Sequence, residues 1–208
     1  MSLLRLLWHA PILFIVLVVP MLYSVIAHEV AHGWCALAFG DETAKRHGRL
    51  TLNPLAHISL VGTLMLFVVG FGWAKPVPVN YAALRWTRLG SFCVALAGCA
   101  TNVLIAVIAI AVLQSGLVRP DSIGSVTLQV LARVNTMLGA FNLIPIPPLD
   151  GSKVLMSFLP EAARRSFAWL ERFGFLILVL LLSTGWLDPV IAFMERLIYG
   201  FIGIVFHQ

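Results

Sequence analysis

Charge is scarce in this sequence. Asp, Glu, Lys and Arg make up 11% of its 208 residues, where a soluble domain carries about 25%. Hydrophobic residues supply 60%, gathered into long blocks. Together these exclude an ordinary water-soluble domain and make the bilayer the solvent. Cysteine is scarce too. Cys35, Cys93 and Cys99 all fall in apolar runs and form no CxxC pair, which excludes a disulfide framework and a thiolate metal site and leaves them as small packing residues. Internal repeats, low-complexity linkers and a soluble appendage are missing, so one membrane domain is expected over residues 1–208. The net charge of +5 is carried between apolar blocks, as the positive-inside rule expects, and does not indicate a nucleic-acid partner.

What is present is a series of apolar runs. A membrane-crossing helix needs about 20 apolar residues in a row. Residues 89–118 hold an uncharged run, residues 6–40 are interrupted only by His9 and the motif described below, and residues 122–149 carry the single charge Arg133. Residues 173–187 and 189–206 are shorter or broken by Glu195 and Arg196, and residues 58–73 are apolar but short, punctuated by Gly62, Gly70 and Gly72. The expected fold is an all-α polytopic membrane protein. It should have about four to six transmembrane or re-entrant segments, with any site placed between core helices. Arg5 ahead of the first run imitates a signal peptide. The run is too long for an h-region and continues into the motif, so it reads as retained.

That motif is His28-Glu29-Val30-Ala31-His32, or HExxH. On a helix the two histidines stand one turn apart on one face and can share a zinc ion, with Glu29 beside it as a general base. A bound metal brings the pKa of water from 15.7 towards about 7. The bland alternative is that these are polar residues joining buried helices. Ionisable groups inside a membrane cost on the order of 3 kcal/mol each and are functional by default, so three at ligand spacing are poorly explained as packing. A catalytic zinc needs a third protein ligand. The stretch FNLIPIPPLDGSKVL offers Asp150. Pro145, Pro147 and Pro148 forbid regular helix before it, and irregular backbone at membrane depth is tolerated where it lines a cavity. Asp150 can equally be read as the N-cap of a helix starting at Gly151.

HExxH in an apolar helix, followed by FNLIPIPPLDG at the end of a later one, resembles the site-2 protease family of intramembrane zinc metalloproteases. NPLAHISLVGTLML and GWAKPVPVN are similar to its short bacterial, minimal-core branch, and the likeness covers roughly residues 20–155. It implies that His28, His32 and Asp150 bind one zinc ion and that Glu29 is the catalytic base and acid. It also implies a zinc-dependent endopeptidase acting on transmembrane proteins or peptides in the bilayer, with a catalytic core at about 10–155 and C-terminal membrane segments at about 170–206. Asn142, before the proline run, would position substrate or stabilise the oxyanion. Asn102 is a further candidate, although Gly98-Cys99 stands where the family has Gly-Pro. His57 in NPLAH is another, as a substrate contact, a support for the site or a structural hydrogen bond.

Three rivals remain in view. Prenyl-protein and heat-shock membrane metallopeptidases take a glutamate as third ligand, but Glu161, Glu171 and Glu195 lie in no matching motif. A non-catalytic membrane binding protein would have little use for Glu29. A zinc or ion transporter would show paired broken helices. Topology follows from the metal. For the motif and Asp150 to meet, the segments ending in each must run the same way, so one segment between them must turn back. The short stretch 58–73 is the natural choice. That arrangement puts Lys45, Arg46, Arg49, Lys75, Arg85, Arg88, Lys153, Arg164, Arg165 and Arg172 on one side and Arg5 and Arg119 on the other. The chain is then a multi-pass cell-membrane protein with its active site nearer the cytoplasm.

Overall fold

The computed structural model describes residues 3–69 and 74–206. A short helix, α1 (Leu3–His9), leads into α2 (Pro11–Ala38), which Pro11 starts from its first turn, where its missing N–H is not needed. At 28 residues α2 is about 42 Å long, more than the roughly 30 Å of hydrocarbon. It ends at Phe39–Gly40, with Gly40 at φ +98°. There follow a single turn, α3 (Thr43–Arg46), and the short helix α4 (Leu60–Val69). The second 28-residue helix is α5 (Thr87–Gln114), succeeded by α6 (Ile123–Asn142), α7 (Asp150–Phe158), α8 (Glu161–Ser183) and α9 (Asp188–Phe206). No strand occurs among the described residues. The all-α expectation holds.

Among the described residues, α2 and α5 are long and apolar enough to cross a membrane. Leu170–Ser183 with Asp188–Gly203 forms a third such unit, bent by 93°. The pairing of side chains sets the directions. His32 and His28 on α2 meet Val94 and Asn102 on α5 in reverse order, so these helices are antiparallel. Asn135 on α6 meets Ser24, while Asp150 beyond its end meets His28 and His32. Helices α2 and α6 therefore run the same way, the direction expected if His28, His32 and Asp150 are to meet at one metal. Alanines at 106 and 140 keep the α5–α6 contact close and are fully buried with Ile198 and Ile202 of α9, the small-residue packing that membrane helices use.

The chain between α2 and α5 leaves and returns at one end. The Arg85 N–H donates to the Phe39 carbonyl, the Asn80 N–H to Asp41, and the Arg49 guanidinium to the Lys75 and Pro76 carbonyls. Helix α4, with 10 residues, is about 15 Å long and cannot cross. This is the expected turn-back, although Gly70 and Gly72 lie outside the described residues. Likewise the chain from Leu143 to Leu149 is irregular, as its prolines dictate, and is seated by Ile144 and Leu149 packing on Leu178 and Leu187.

Candidate metal centre

Helix α2 presents His28 and His32 on its buried face, one turn apart. Asp150 arrives from the other direction as the first residue of α7. The cap position there belongs to Leu149, and no side chain caps the helix. The capping alternative is thereby set aside. The Asp150 Oδ2 atom lies 3.0 Å from the Nε2 atoms of both histidines, and those two nitrogens are 3.1 Å apart. All three residues are buried, and their ligand atoms fall within 4.8 Å of one another.

The donor inventory shows what belongs between them. His32 Nδ1 faces the carbonyl of Val94 at 2.6 Å. A carbonyl only accepts, so the proton sits on Nδ1 and Nε2 carries a lone pair. His28 Nδ1 faces Asn102 Oδ1 at 2.6 Å in the same sense. Two imidazole lone pairs and a carboxylate oxygen thus converge, and among the described residues Asp150 Oδ2 has no hydrogen-bond donor. Three acceptors around one point need a cation. Zinc bonds of 2.0–2.1 Å in tetrahedral geometry give ligand edges of about 3.3 Å, close to the 3.0–3.1 Å found. The space is guarded by Gly98 of α5, where a Cβ would lie 2.5 Å from His28 Cε1 and 2.6 Å from Nε2 of each histidine. Only glycine fits there.

Glu29 points into the same cavity, of about 370 Å³, and its Oε2 accepts a hydrogen bond from the Val77 N–H at 2.9 Å. Val77 lies between Pro76 and Pro78. Prolines have no N–H, so Val77 is the donor of that extended tripeptide. Asn142 also lines the cavity and gives one amide hydrogen to the Leu138 carbonyl at 3.0 Å. Asn102 is fully buried behind His28 and is not part of the cavity wall. Nor is His57. Its ring is buried, with Nε2 paired to the Thr51 carbonyl at 2.8 Å, and its own carbonyl accepts from the Lys75 N–H.

Sequence reasoning passed over Lys153, Tyr81 and the Val77 amide. Lys153 Nζ is 3.7 Å from the second oxygen of Asp150 and 6.0 Å from the Tyr81 ring centroid. Burial pulls the Lys153 ammonium down, but Tyr81, Asp150, Glu171 and Glu29 outweigh it and raise its pKa above the ordinary lysine value. Burial, with Asp150 and Glu171 assisting, pushes the Tyr81 phenol up. The spacing of Lys153 three residues after Asp150 was a usable signal, because such pairs share a helix face.

Comparison with known proteins bears on the same residues. A profile of peptidase family M50 matches residues 120–182. YwhC of Bacillus subtilis, provisionally named a zinc metalloprotease, is 36% identical over 194 residues, covering 86% of this chain and 85% of that protein. The chain belongs to peptidase family M50. As a member of M50, the site-2 protease family, it is a zinc metalloprotease of the membrane. Rip2 of Mycolicibacterium smegmatis, named in the same provisional terms, is 31% identical over 176 residues, with 82% of this chain and 68% of that protein covered. Zinc metalloprotease MJ0392 of Methanocaldococcus jannaschii is 27% identical over 150 residues, 72% of this chain but 35% of its own length. No solved structure matches this M50 chain.

Proposed function

We propose that the protein is an intramembrane endopeptidase that hydrolyses peptide bonds in or near transmembrane segments of other membrane proteins. In this reading residues 1–208 act as one peptidase domain, and His28, His32 and Asp150 are the zinc ligands. The observation that carries it is the convergence of three buried acceptors beside Glu29, between helices that can cross a bilayer. Zinc held there supplies a Lewis acid for the scissile carbonyl and lowers the pKa of water at the site.

The chain's own residues do the rest. Glu29, held through one oxygen by the Val77 N–H, takes the proton from the attacking water and gives it to the leaving nitrogen. Asn142 keeps its second amide hydrogen for a substrate carbonyl on the cavity wall. Lys153 balances the carboxylate of Asp150. A substrate helix must unwind first, because its carbonyls are already hydrogen-bonded. The cations gathered at the Asp150 end of the fold support a cytoplasmic-side active site.

The test is cleavage of a membrane-inserted peptide by purified protein in vesicles. Wild-type protein should cut it, and Glu29→Gln should bind zinc and leave it intact. Cleavage by Glu29→Gln near the wild-type rate would remove Glu29 from the mechanism.

A further inference from the structure

Behind the metal centre lies a hydrogen-bonded line of side chains from three helices. Asn102 of α5 is fully buried, and so is Asn135 of α6, while Ser24 of α2 is 1% exposed. Asn102 Nδ2 donates to Asn135 Oδ1 at 2.7 Å, and to the Ser24 carbonyl only at the long distance of 3.5 Å, so Asn135 is its principal acceptor. Asn135 Nδ2 donates to the Leu131 carbonyl at 2.8 Å and to Ser24 Oγ at 2.7 Å. Ser24 in turn donates to the Pro20 carbonyl at 2.6 Å, which leaves its oxygen free to accept. None of these groups lines the catalytic cavity.

The direction of every bond is fixed from the far end. The Leu131 carbonyl can only accept, so it selects the NH₂ of Asn135 and turns Oδ1 toward Asn102. That oxygen selects the NH₂ of Asn102 and turns its Oδ1 toward His28. His28 Nδ1 must then donate, which places the lone pair on Nε2, the atom facing Asp150. Were the Asn102 amide reversed, its NH₂ would face Nδ1, the proton would move to Nε2, and His28 could not bind a metal.

We propose that Asn135 is a positioning residue for the zinc site, holding the amide of Asn102 in the one orientation that makes His28 a ligand. It acts through two hydrogen bonds and touches neither metal nor substrate. The proposal rests on His28 being a zinc ligand. Partners that orient a metal-bound histidine are commonly worth 10–100-fold in metal affinity.

The test is zinc affinity by chelator competition on purified full-length protein, beside the tetrahedral cobalt spectrum. Asn135→Leu keeps the branching of the side chain, adds some bulk, and deletes the relay. It should weaken zinc binding at least tenfold and diminish the cobalt bands, while helicity and melting are retained. Asn135→Asp still accepts from Asn102 and should hold zinc more tightly than Asn135→Leu, although a buried carboxylate costs the fold more. A merely structural role predicts the opposite order. Should Asn135→Leu not fold, Asn135→Asp is read alone: it keeps the acceptor for Asn102 and should bind zinc within about threefold of wild type, and a loss of more than tenfold in the folded variant would overturn the proposal. Zinc affinity of Asn135→Leu within twofold of wild type, or weaker binding by Asn135→Asp than by Asn135→Leu, would overturn the proposal. Wild-type affinity in His28→Ala would instead overturn the ligand assignment beneath it.

Discussion

Asp150 and Glu29 line one cavity and Gly98 backs its two histidines, yet the three predict different failures. Asp150→Ala removes one of the three proposed ligands and should lose zinc while the helices persist, which metal analysis beside circular dichroism will show. Glu29→Gln should keep the metal and lower turnover by roughly 10²–10⁴-fold, the range for losing a general base. Zinc at full occupancy in Asp150→Ala would move the third ligand elsewhere. Gly98→Ala is the subtlest change. Its methyl would stand 2.5–2.6 Å from the ligand imidazoles, so helix α5 must shift or a histidine must turn. Zinc affinity should drop by at least tenfold, the scale on which ligand orientation acts. Gly200→Ala meets nothing within 4 Å and serves as the matched control. Equal zinc affinity in the two variants would show that the approach of α5 does not shape the site.

Between α2 and α5 the chain is an element without a long helix, held by bonds to its ends. Asp41 is its anchor. It accepts the Thr43 N–H at 2.9 Å and the Asn80 N–H at 2.7 Å. Burial pushes the Asp41 carboxyl up, but the bonds from Thr43 and Asn80 and the charge of Arg46 outweigh it, and its pKa falls below the ordinary 3.8. A carboxyl depressed by folding stabilises the native state above its unfolded pKa and loses that contribution as pH falls through the folded value. Asp41→Asn should therefore cost about 2 kcal/mol, the scale of a charge-assisted bond, at pH 6 to 7. The difference from wild type should fade below about pH 4. Melting curves across pH measure this, and a difference that grows toward acid would contradict the sign. The same element shows what the sequence hid. Its shortness was readable from glycines in residues 58–73. The Val77 contact to Glu29 was not, because those residues are 48 apart in sequence and meet only when Lys75 and Pro76 are tied to Arg49.

At the scale of the whole molecule, legibility follows the range of the interaction. The histidine pair was plain because one helical turn sets it. Asp150 was legible as a candidate because three prolines announce irregular backbone before it, but only the structure, in which Leu149 holds the cap position and Asp150 faces the two histidines, decided against a cap. Asn102 invited a substrate role by its sequence context, whereas the fold buries it against His28. Asn135 and Ser24, 111 residues apart, carry no local signal at all. The direction of α2, α5 and α6 makes a topological prediction. In a background lacking Cys35, Cys93 and Cys99, cysteines at His47 and Asn80 should label from one face of the membrane and a cysteine at Arg119 from the other. Labelling of positions 47 and 80 from opposite faces would mean that the intervening segment crosses.

The central claim is that Glu29 and the metal beside it cut transmembrane segments. It is tested most directly by mapping new protein termini in membranes of cells carrying wild-type protein or Glu29→Gln. The account predicts termini inside or at the edge of transmembrane segments in the wild type, with the uncut segments accumulating in the variant. Identical termini in the two membranes, with both proteins folded and zinc-loaded, would contradict it.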